Sequence, residues 1–313
     1  CFDNCAALGA LWMPDTVLYL GESLCNRAEN LESVHLPAYI TEIKAHTFAE
    51  CTSLSGDLVI PAGVTEIGSA AFYRCYKLSS LTLPACIPFT PYDGKDAFSY
   101  CSGLKEITLT GSGPMAQHYD EDYGVRYTPW GAQTTTGQPD MAIIIEDGIT
   151  SIPDKAFRQC SNIASVEIPE SVTSIGTEAF AGCTALVQAD LPSQLESIGE
   201  GAFSNCSSLK ALVIPETVTR IETDTFNNCS SLSGDLVIPT SVKSVGERVF
   251  YNCRSLESVS IPAHINFTDY DGDSAFDSCS NLRTFRITGS GPMGTYYENQ
   301  IPWVNATTVI IED

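Results

Sequence analysis

Apolar residues recur along this chain with a period of about 23 residues, which is longer than the period of a single helix or strand. The recurring unit reads L-x-x-V-x-I-P-x-x-V-x-x-I-x-x-x-A-F-x-x-C, and Phe157, Phe180, Phe203 and Phe226 follow one another at intervals of 23. Alternating positions such as those in 211–214 predict a short strand, and the following proline ends it because proline cannot donate to a ladder. The A-F-x-x-C stretch predicts a short helical or 3-10 turn.

One unit carries too few inward side chains to build a core alone, so the units must stack on their neighbours. The pattern therefore predicts a solenoid of about twelve coils of 23–26 residues, built mostly from short parallel strands. Helix content should fall well below the roughly one third that is usual for globular domains.

A multi-coil block of the chain has been duplicated. CTSLSGDLVIP at 51–61 returns as CSSLSGDLVIP at 229–239, and TGSGPM at 110–115 returns at 288–293, both at an offset of 178. We interpret the repeated CTSLSGDLVIP segment as the result of duplicating scaffold coils rather than as a catalytic motif.

The copies predict four segments within one continuous solenoid. These are an N-terminal array (1–110), an irregular joint (111–142), a C-terminal array (143–288) and a second joint that opens a further repeat (289–313). Because the chain starts and stops inside repeat units, we expect it to be a piece of a longer protein.

Two stretches resemble a known family. SVTSIGTEAFAGCTAL at 171–186 is similar to the unit of the BspA-type leucine-rich repeat, found in surface proteins of anaerobic bacteria, and the joint TGSGPM…PW…IIIEDGITSI at 110–152 is similar to a segment that opens its arrays. The resemblance implies a right-handed, horseshoe-like β/α superhelix, a surface location, a role in adhesion and no catalytic residues. The chain departs from the pattern at the degenerate unit around Cys25 and in the long joint at 116–140.

The net charge of −22 and the pI of about 4.3 restrict the partners. Such a field repels phosphate backbones and disfavours anionic membrane surfaces. We therefore expect that the chain does not bind nucleic acid. No apolar run reaches the length of a membrane span, and residues 1–20 lack the features of a signal peptide. We expect a secreted or cell-surface protein whose signal and anchor lie outside this segment.

Ten of the thirteen cysteines occupy one position of the unit. Besides Cys5, this predicted structural ladder consists of Cys51, Cys75, Cys101, Cys160, Cys183, Cys206, Cys229, Cys253 and Cys279. Coils about 4.8 Å apart bring neighbours within disulfide range, but parallel Cβ vectors disfavour the bond. Zinc is a poor alternative because no C-x-x-C pairs exist. We predict reduced, unliganded thiols; the state of Cys1, Cys25 and Cys86 is left open.

No catalytic motif stands out, so we predict no enzyme activity, no cofactor and no metal site. DYDGD at 269–273 has the acids of a partial calcium loop, but the matching residues 91–95 read PYDGK. We interpret it as a turn, with calcium binding left open.

Outward strand positions form a column that we expect on the concave sheet. Its members are Trp12, His35, Val59, Thr82, Thr108, Glu167, Asp190, Val213, Val237, Ser260 and Arg286. Most are not typical hot-spot residues.

Aromatic side chains gather instead where the period is broken, and irregular segments on a rigid scaffold often carry recognition. The candidate binding residues are therefore Tyr92, Asp93, Tyr119, Tyr123, Tyr127, Tyr270, Asp271 and Tyr296. The predicted function is a non-enzymatic interaction or adhesion module that binds a host or bacterial surface protein or a glycan. The alternatives are a passive spacer that presents another domain and, more remotely, a fragment of a carbohydrate-active protein.

Overall fold

The chain is a parallel β-solenoid, which confirms the predicted fold class. The computed structural model describes residues 1–87, 97–116, 140–267, 275–290 and 306–312, and these form about ten turns. The chain divides into two compact units, Cys1–Ile149 and Thr150–Asp313. The predicted division into two arrays and two joints is a finer one and stays a prediction.

All regular elements in the described ranges are short strands. The first unit contains β1 (Ala10–Trp12), β2 (Ser33–His35), β3 (Glu42–Ile43), β4 (Gly56–Val59), β5 (Glu66–Ile67), β6 (Leu78–Pro84), β7 (Glu106–Thr110), β8 (Gly113–Pro114) and β9 (Met141–Ile145). Strand β10 (Ile149–Ile152) begins at the boundary. The second unit continues with β11 (Ile163–Glu167), β12 (Ser174–Ile175), β13 (Gln188–Ala189), β14 (Ser197–Ile198), β15 (Arg220–Ile221), β16 (Gly234–Val237), β17 (Ser244–Val245), β18 (Leu256–Pro262), β19 (Asn266–Phe267), β20 (Thr284–Thr288) and β21 (Thr308–Ile311).

The strands form two kinds of parallel ladder, because each coil contributes one strand before its proline and a second, two-residue strand after it. In the first unit β1 pairs with β2, β3 with β5, and β4, β6, β7 and β9 pair in succession. In the second unit the ladders are β11–β13, β10–β12–β14, β15–β17–β19 and β16–β18–β20–β21. Partners lie one repeat apart, as the period requires.

The A-F-x-x-C stretch is a run of turns, and the described residues contain no helix there or elsewhere. The residues two before and two after the phenylalanine have positive φ; His46 and Glu50, for example, have φ of 55° and 57° around Phe48. Left-handed residues at this spacing stop a helix from propagating. The N–H groups of these three residues instead donate to the next coil, at 2.6–3.1 Å. The predicted helical turn is thus replaced by a third ladder between coils.

The core of each unit contains a column of stacked phenylalanines. In the second unit the rings of Phe157, Phe180, Phe203, Phe226, Phe250 and Phe276 follow one another with centroids 5.1–5.6 Å apart. All six are at most 1% exposed. Because the aromatic surface is buried only when a neighbouring coil covers it, the column ties the coils together.

The cysteine ladder lies beside the phenylalanines. Its nine members from Cys51 to Cys279 are fully buried, and no disulfide joins them. Eight thiols donate to a carbonyl of the preceding coil at 3.1–3.4 Å. The carbonyl of Phe180, for example, accepts the Cys206 thiol at 3.2 Å and the backbone N–H of Cys183 at 3.1 Å. The small thiol therefore fills space and satisfies the second lone pair of a buried carbonyl.

Burial changes the acidity of these thiols. Desolvation raises the pKa of Cys51, Cys229 and Cys279 from 9.0 to about 12, and that of Cys25 to about 11. Burial also raises the pKa of Cys183, Cys206 and Cys253, since a thiolate would lose its hydration there. The thiols whose pKa is raised are therefore protonated at neutral pH and unsuited to nucleophilic chemistry.

Candidate functional site

The sequence-predicted binding residues in the irregular segments lie outside the described residues. These are Tyr92, Asp93, Tyr119, Tyr123, Tyr127, Tyr270, Asp271 and Tyr296, together with DYDGD at 269–273. Their role stays a prediction. The candidate surface within the described residues is the outer strand column, the outward side chains of the strands that precede the prolines.

Register pairs place the members of this column side by side. Trp12 pairs with His35, and Val59 pairs with Thr82 in the first unit. Val237 pairs with Ser260 in the second. Several members are apolar and open to solvent: Trp12 is 70% exposed, Val59 59%, Val213 80% and Val237 60%. Two of these residues lie in each unit, and exposed apolar side chains on the outward side of a coil are available for contact with a partner.

The duplication allows one pair of coils to be compared with its copy. In the first copy, β1 and β2 pair over three residues, and the rings of Trp12 and His35 stack with centroids 5.7 Å apart. The Nδ1 atom of His35 also lies 3.3 Å from the carbonyl oxygen of Met13. The strand side of these two coils is thus closed, that is, held together by backbone pairing and by the stacked rings of Trp12 and His35.

In the second copy the matching strands do not pair. The coils meet at the backbone bond from Lys210 N–H to the Val187 carbonyl, at 3.1 Å, and pairing stops there. Residues 211–214 form no strand, although β13 lies before them and β16 after them. Within the described ranges, the N–H groups of Ala211, Leu212 and Val213 have no hydrogen-bond partner. The strand side of this coil pair is open.

The opposite side of the same coil pair remains closed. The N–H groups of Gly201, Phe203 and Asn205 donate to the next coil at 2.9, 2.9 and 2.7 Å. The rings of Phe203 and Phe226 still stack, at 5.6 Å. The two coils are thus joined at the turns and, at 3.2 Å, by the hydrogen bond from Thr217 Oγ1 to the Ser193 carbonyl, whereas residues 211–213 lack strand pairing.

A cleft of about 320 Å³ lies between residues 187–191 and 210–213. Its lining residues are Val187, Gln188, Ala189, Asp190, Leu191, Lys210, Ala211, Leu212 and Val213. Leu212 is only half-buried, whereas Leu236, its equivalent in the next coil, is 3% exposed. Leu11 and Val34 of the paired coils in the first copy are half-buried as well, so this partial exposure is common to both copies.

The local sequence accounts for the opening. Offset by 178, Leu11 and Trp12 of the first copy correspond to Ala189 and Asp190 of the second. Alanine and aspartate are depleted in strands, and alanine removes most of the inward side chain on which the next coil would pack. Hot-spot residues do not mark this site, so a ranking of the column by them passes over it. The signal present was Ala-Asp at strand positions.

One acidic side chain lines the cleft, and two more lie on the coils before and after it. Asp190 is exposed and accepts a hydrogen bond from Gln188 Nε2 at 2.7 Å. Glu167 precedes Asp190 in the outer strand column, and Asp235 lies exposed on the coil that follows the cleft. The one basic residue that lines the cleft is Lys210. The field at the opening is therefore negative on balance.

The described residues hold no group of three or more His, Cys, Asp or Glu side chains that could bind a metal ion. Among these same residues, no helix has the length and apolar character needed to span a bilayer.

The repeat pattern matches a known family model. The model for the BspA type leucine rich repeat region matches in six copies, over residues 18–117, 141–234 and 202–292. These matches cover well over half of the chain. The chain belongs to the BspA-type leucine-rich repeat family. No curated protein matches the chain significantly.

Solved structures of bacterial leucine-rich repeat proteins are similar to this chain. A leucine-rich repeat protein from Bacteroides ovatus is 22% identical with a TM-score of 0.48, over 91% of this chain and 80% of that one. A leucine rich cell surface protein from Faecalibacterium prausnitzii is 23% identical with a TM-score of 0.39, over 97% and 87%. The leucine-rich repeat protein of T. pallidum is 30% identical with a TM-score of 0.41, over 55% and 72%.

Proposed function

We propose that this chain is a non-enzymatic interaction module of a secreted or cell-surface protein of an anaerobic bacterium, and that it acts in adhesion. The observation that carries the proposal is the outer strand column, where Trp12, Val59, Val213 and Val237 are each more than half exposed on a repeating scaffold. Exposed apolar side chains on a scaffold with a net charge of −22 are available for contact with a partner surface.

Two further observations support the proposal. The family match covers repeats of a kind known for surface proteins, and a similar solved structure is described as a cell surface protein. No disulfide joins the cysteines of the ladder. Free thiols on an exported protein fit an oxygen-poor habitat, because oxidising compartments favour disulfides.

The test is direct binding by the whole chain. Immobilised protein is exposed to arrays of host epithelial surface proteins, of surface proteins from co-resident bacteria, and of glycans. We expect saturable binding to one protein class, with a Kd of about 1 μM or tighter, which is the range of specific interfaces. A passive spacer would bind nothing on any array. Binding to glycans alone would favour the alternative that the chain is a fragment of a carbohydrate-active protein.

Two variant sets locate the contacts. Substituting Tyr92, Tyr119, Tyr123 and Tyr270 with Ser tests the predicted loop residues, and substituting Val59, Val213 and Val237 with Lys tests the outer strand column. An interaction module should lose affinity at least tenfold with one of the sets while its Tm stays nearly unchanged, since exposed positions matter little to folding. If both variant sets bound the partner as tightly as the wild type does, neither surface would remain a candidate.

A further inference from the structure

One coil of the first unit differs in charge from the rest of this acidic chain. Residues 67–92 contain no Asp or Glu, which is the longest such stretch in a sequence with 38 acidic residues. The segment YRCYK at 73–77 lies within it and adds two basic side chains, Arg74 and Lys77. On the preceding coil, the carboxylate of Glu50 is already paired with Arg27 at 3.6 Å. The coil that carries Arg74 therefore contributes only positive charge at this turn.

Arg74 is held by aromatic rings instead of by an acid. Its guanidinium carbon lies 4.9 Å from the centre of the Tyr73 ring and 6.0 Å from the centre of the Tyr100 ring on the next coil. The two rings meet edge to face, with centroids 5.5 Å apart. We call these three residues the Arg74 cluster. The rings lie against the guanidinium and fix its position by cation–π attraction.

The polar edge of the Arg74 guanidinium is not used by the fold. In the part of the chain that the structure describes, its side chain makes no hydrogen bond and no ion pair. Of the three guanidinium nitrogens, only Nε is buried without a partner. The two terminal nitrogens are therefore the donors that a ligand can reach, and they carry a charge without a counter-ion.

The duplicated block shows that the fold does not need this cluster. At the offset of 178, Asn252 and Ser278 correspond to Arg74 and Tyr100. Asn252 donates a hydrogen bond to Asn228 Oδ1 at 2.6 Å, so the second copy uses this position to join coils. The first copy has an arginine and a second tyrosine there, which are residue types that often dominate binding energy.

The groups that the cluster presents match a ligand with one carboxylate and an apolar ring face. A guanidinium binds a carboxylate through two parallel hydrogen bonds in its own plane, and the rings that lie against its face leave that edge accessible. Tyr100 is 43% exposed, and Tyr76 on the same turn as Arg74 is 41% exposed. Both therefore keep aromatic surface available for the C–H groups of a sugar ring.

The main chain at this turn favours a sugar over a peptide. The N–H groups of Phe72 and Arg74 already donate to the Ala97 and Ser99 carbonyls of the next coil, at 2.7 and 2.9 Å. An extended peptide would find no strand edge here, although main-chain pairing is one of the common sources of peptide affinity. The net charge of −22 also repels polyanions, whereas a single carboxylate meets Arg74 with little repulsion.

From these observations we infer that the Arg74 cluster is a binding site for a sugar that carries one carboxylate. The terminal nitrogens of Arg74 donate to the carboxylate, the exposed ring of Tyr100 contacts the sugar ring, and Lys77 adds attraction. This inference goes beyond the proposed function, because it concerns the turns of the coils and not the outer strand column.

The repeats supply matched variants. Arg74→Asn and Tyr100→Ser install the residues of the second copy, and Asn252 and Ser278 hold the same positive φ of 60° there. Neither variant should therefore strain the backbone. Arg27→Asn is the control, since it removes the same charge from the same position of the unit two coils earlier, away from the two rings.

The experiment titrates the whole chain with the methyl glycoside of glucuronic acid and, separately, with that of N-acetylneuraminic acid, in about 0.15 M salt. Saturation-transfer NMR follows the sugar signals. We expect saturable binding of at least one of the two sugars, with a Kd of about 1 mM or tighter. The comparison of the two sugars shows which source of the carboxylate the site accepts. Their methyl esters keep the ring and lose the charge, so they should bind at least tenfold more weakly.

The variants connect this binding to the cluster. Affinity should fall at least tenfold in Arg74→Asn, at least threefold in Tyr100→Ser and less than twofold in Arg27→Asn. Arg74→Lys keeps the charge and loses the planar fork, and it should also bind at least threefold more weakly. The Tm of each variant is measured beside its affinity, so that a loss of folding is not counted as a loss of binding.

Three outcomes would overturn the inference: neither sugar binds, the methyl esters bind as tightly as the acids, or Arg27→Asn weakens binding as much as Arg74→Asn. Equal binding of N-acetyl-aspartate amide, which has a carboxylate and no sugar ring, would overturn the assignment to a sugar and favour an acidic peptide. Binding on the protein arrays tests the proposed function separately, because none of these variants alters the outer strand column.

Discussion

The two copies of the duplicated block follow one plan, yet one pair of coils is closed and its counterpart is open. In the first copy β1 and β2 pair and Trp12 stacks on His35. In the second copy, Asp190 and Val213 occupy the same positions, and residues 211–214 belong to no strand pair in the part of the chain that the structure describes. Strand pairing between coils thus depends on individual side chains, even where the period is intact.

The core behind the two coil pairs also differs, and here the coils without strand pairing have the more complete columns of phenylalanine and cysteine. The closed pair is backed by Cys25 and Phe48, whereas the open pair is backed by the stacked rings of Phe203 and Phe226. Ala28 in the first copy likewise corresponds to Cys206 in the second. The copy that has lost its strand pairing keeps the full phenylalanine and cysteine columns, so its coils are held together from the core and the turns.

The largest effect that we expect is alkaline unfolding driven by the cysteine ladder. Burial raises the pKa of Cys51, Cys229 and Cys279 to about 12, so ionisation favours the unfolded chain. This stabilisation is complete below pH 9 and is lost as pH rises toward 12, at about 1.4 kcal/mol per thiol and pH unit. When the pH is raised and unfolding is followed by circular dichroism, the transition should be steep, with its midpoint below about pH 11.

The comparison predicts where that unfolding begins. Amides near Cys206 and Cys229 should lose protection at lower pH than amides near Ala28, where the ladder is interrupted. The variant in which Cys206 and Cys229 are both alanine should show a shallower dependence of unfolding free energy on pH. An unchanged slope would mean that other groups drive the transition.

The next largest effect concerns the phenylalanine column. Phe203→Cys reproduces the residue of the first copy, and we expect a loss of about 3 kcal/mol because a fully buried ring is replaced by a small thiol. The reciprocal Cys25→Phe is the matched control. Urea unfolding measures both, and a loss below about 1 kcal/mol for Phe203→Cys would show that the open pair does not depend on the ring stack.

A smaller effect follows from the thiol hydrogen bonds. Cys206→Ala should cost about 1–2 kcal/mol, because the Phe180 carbonyl no longer accepts a hydrogen bond from the thiol and a small cavity remains. Ala28→Cys places a thiol at the matching position of the first copy and should not lower the Tm. If Cys206→Ser were as stable as the wild type, hydrogen bonding rather than apolar filling would dominate at this position.

The smallest effect exchanges the strand residues themselves. Ala189→Leu with Asp190→Trp should close the second coil pair, and Leu11→Ala with Trp12→Asp should open the first. Each change is worth about 1 kcal/mol, the span of strand propensities, so exchange rates are a better readout than stability. Protection should rise at Leu212 and Val213 in the first variant and fall across β2 in the second; unchanged rates would remove Ala189 and Asp190 as the cause.

Several features followed from the sequence because they depend only on period and polarity. The recurrence of Phe157, Phe180, Phe203 and Phe226 predicted the stacked column, and the cysteines three residues later predicted the buried ladder. The outer strand column, with Val59 beside Thr82, also follows from the period of two within a strand.

Other features could not be predicted from the sequence alone. A-F-x-x-C has the three-residue spacing of a helical turn, and only the positive φ of residues such as His46 and Glu50 shows that it is a ladder between coils. The cleft at Ala211–Val213 was missed for a related reason: strand pairing is a property of two neighbouring coils, and each coil by itself has an ordinary pattern.

The sequence by itself therefore determined the solenoid, its period and the composition of its core, because stacking identical units buries every inward position in the same way. The tertiary structure alone decided which adjacent coils pair along their strands. A parallel ladder needs two backbones at the right separation, and that separation depends on how the side chains of both coils pack together. Where Ala189 removes that packing, the main chain of residues 211–213 is left open to solvent.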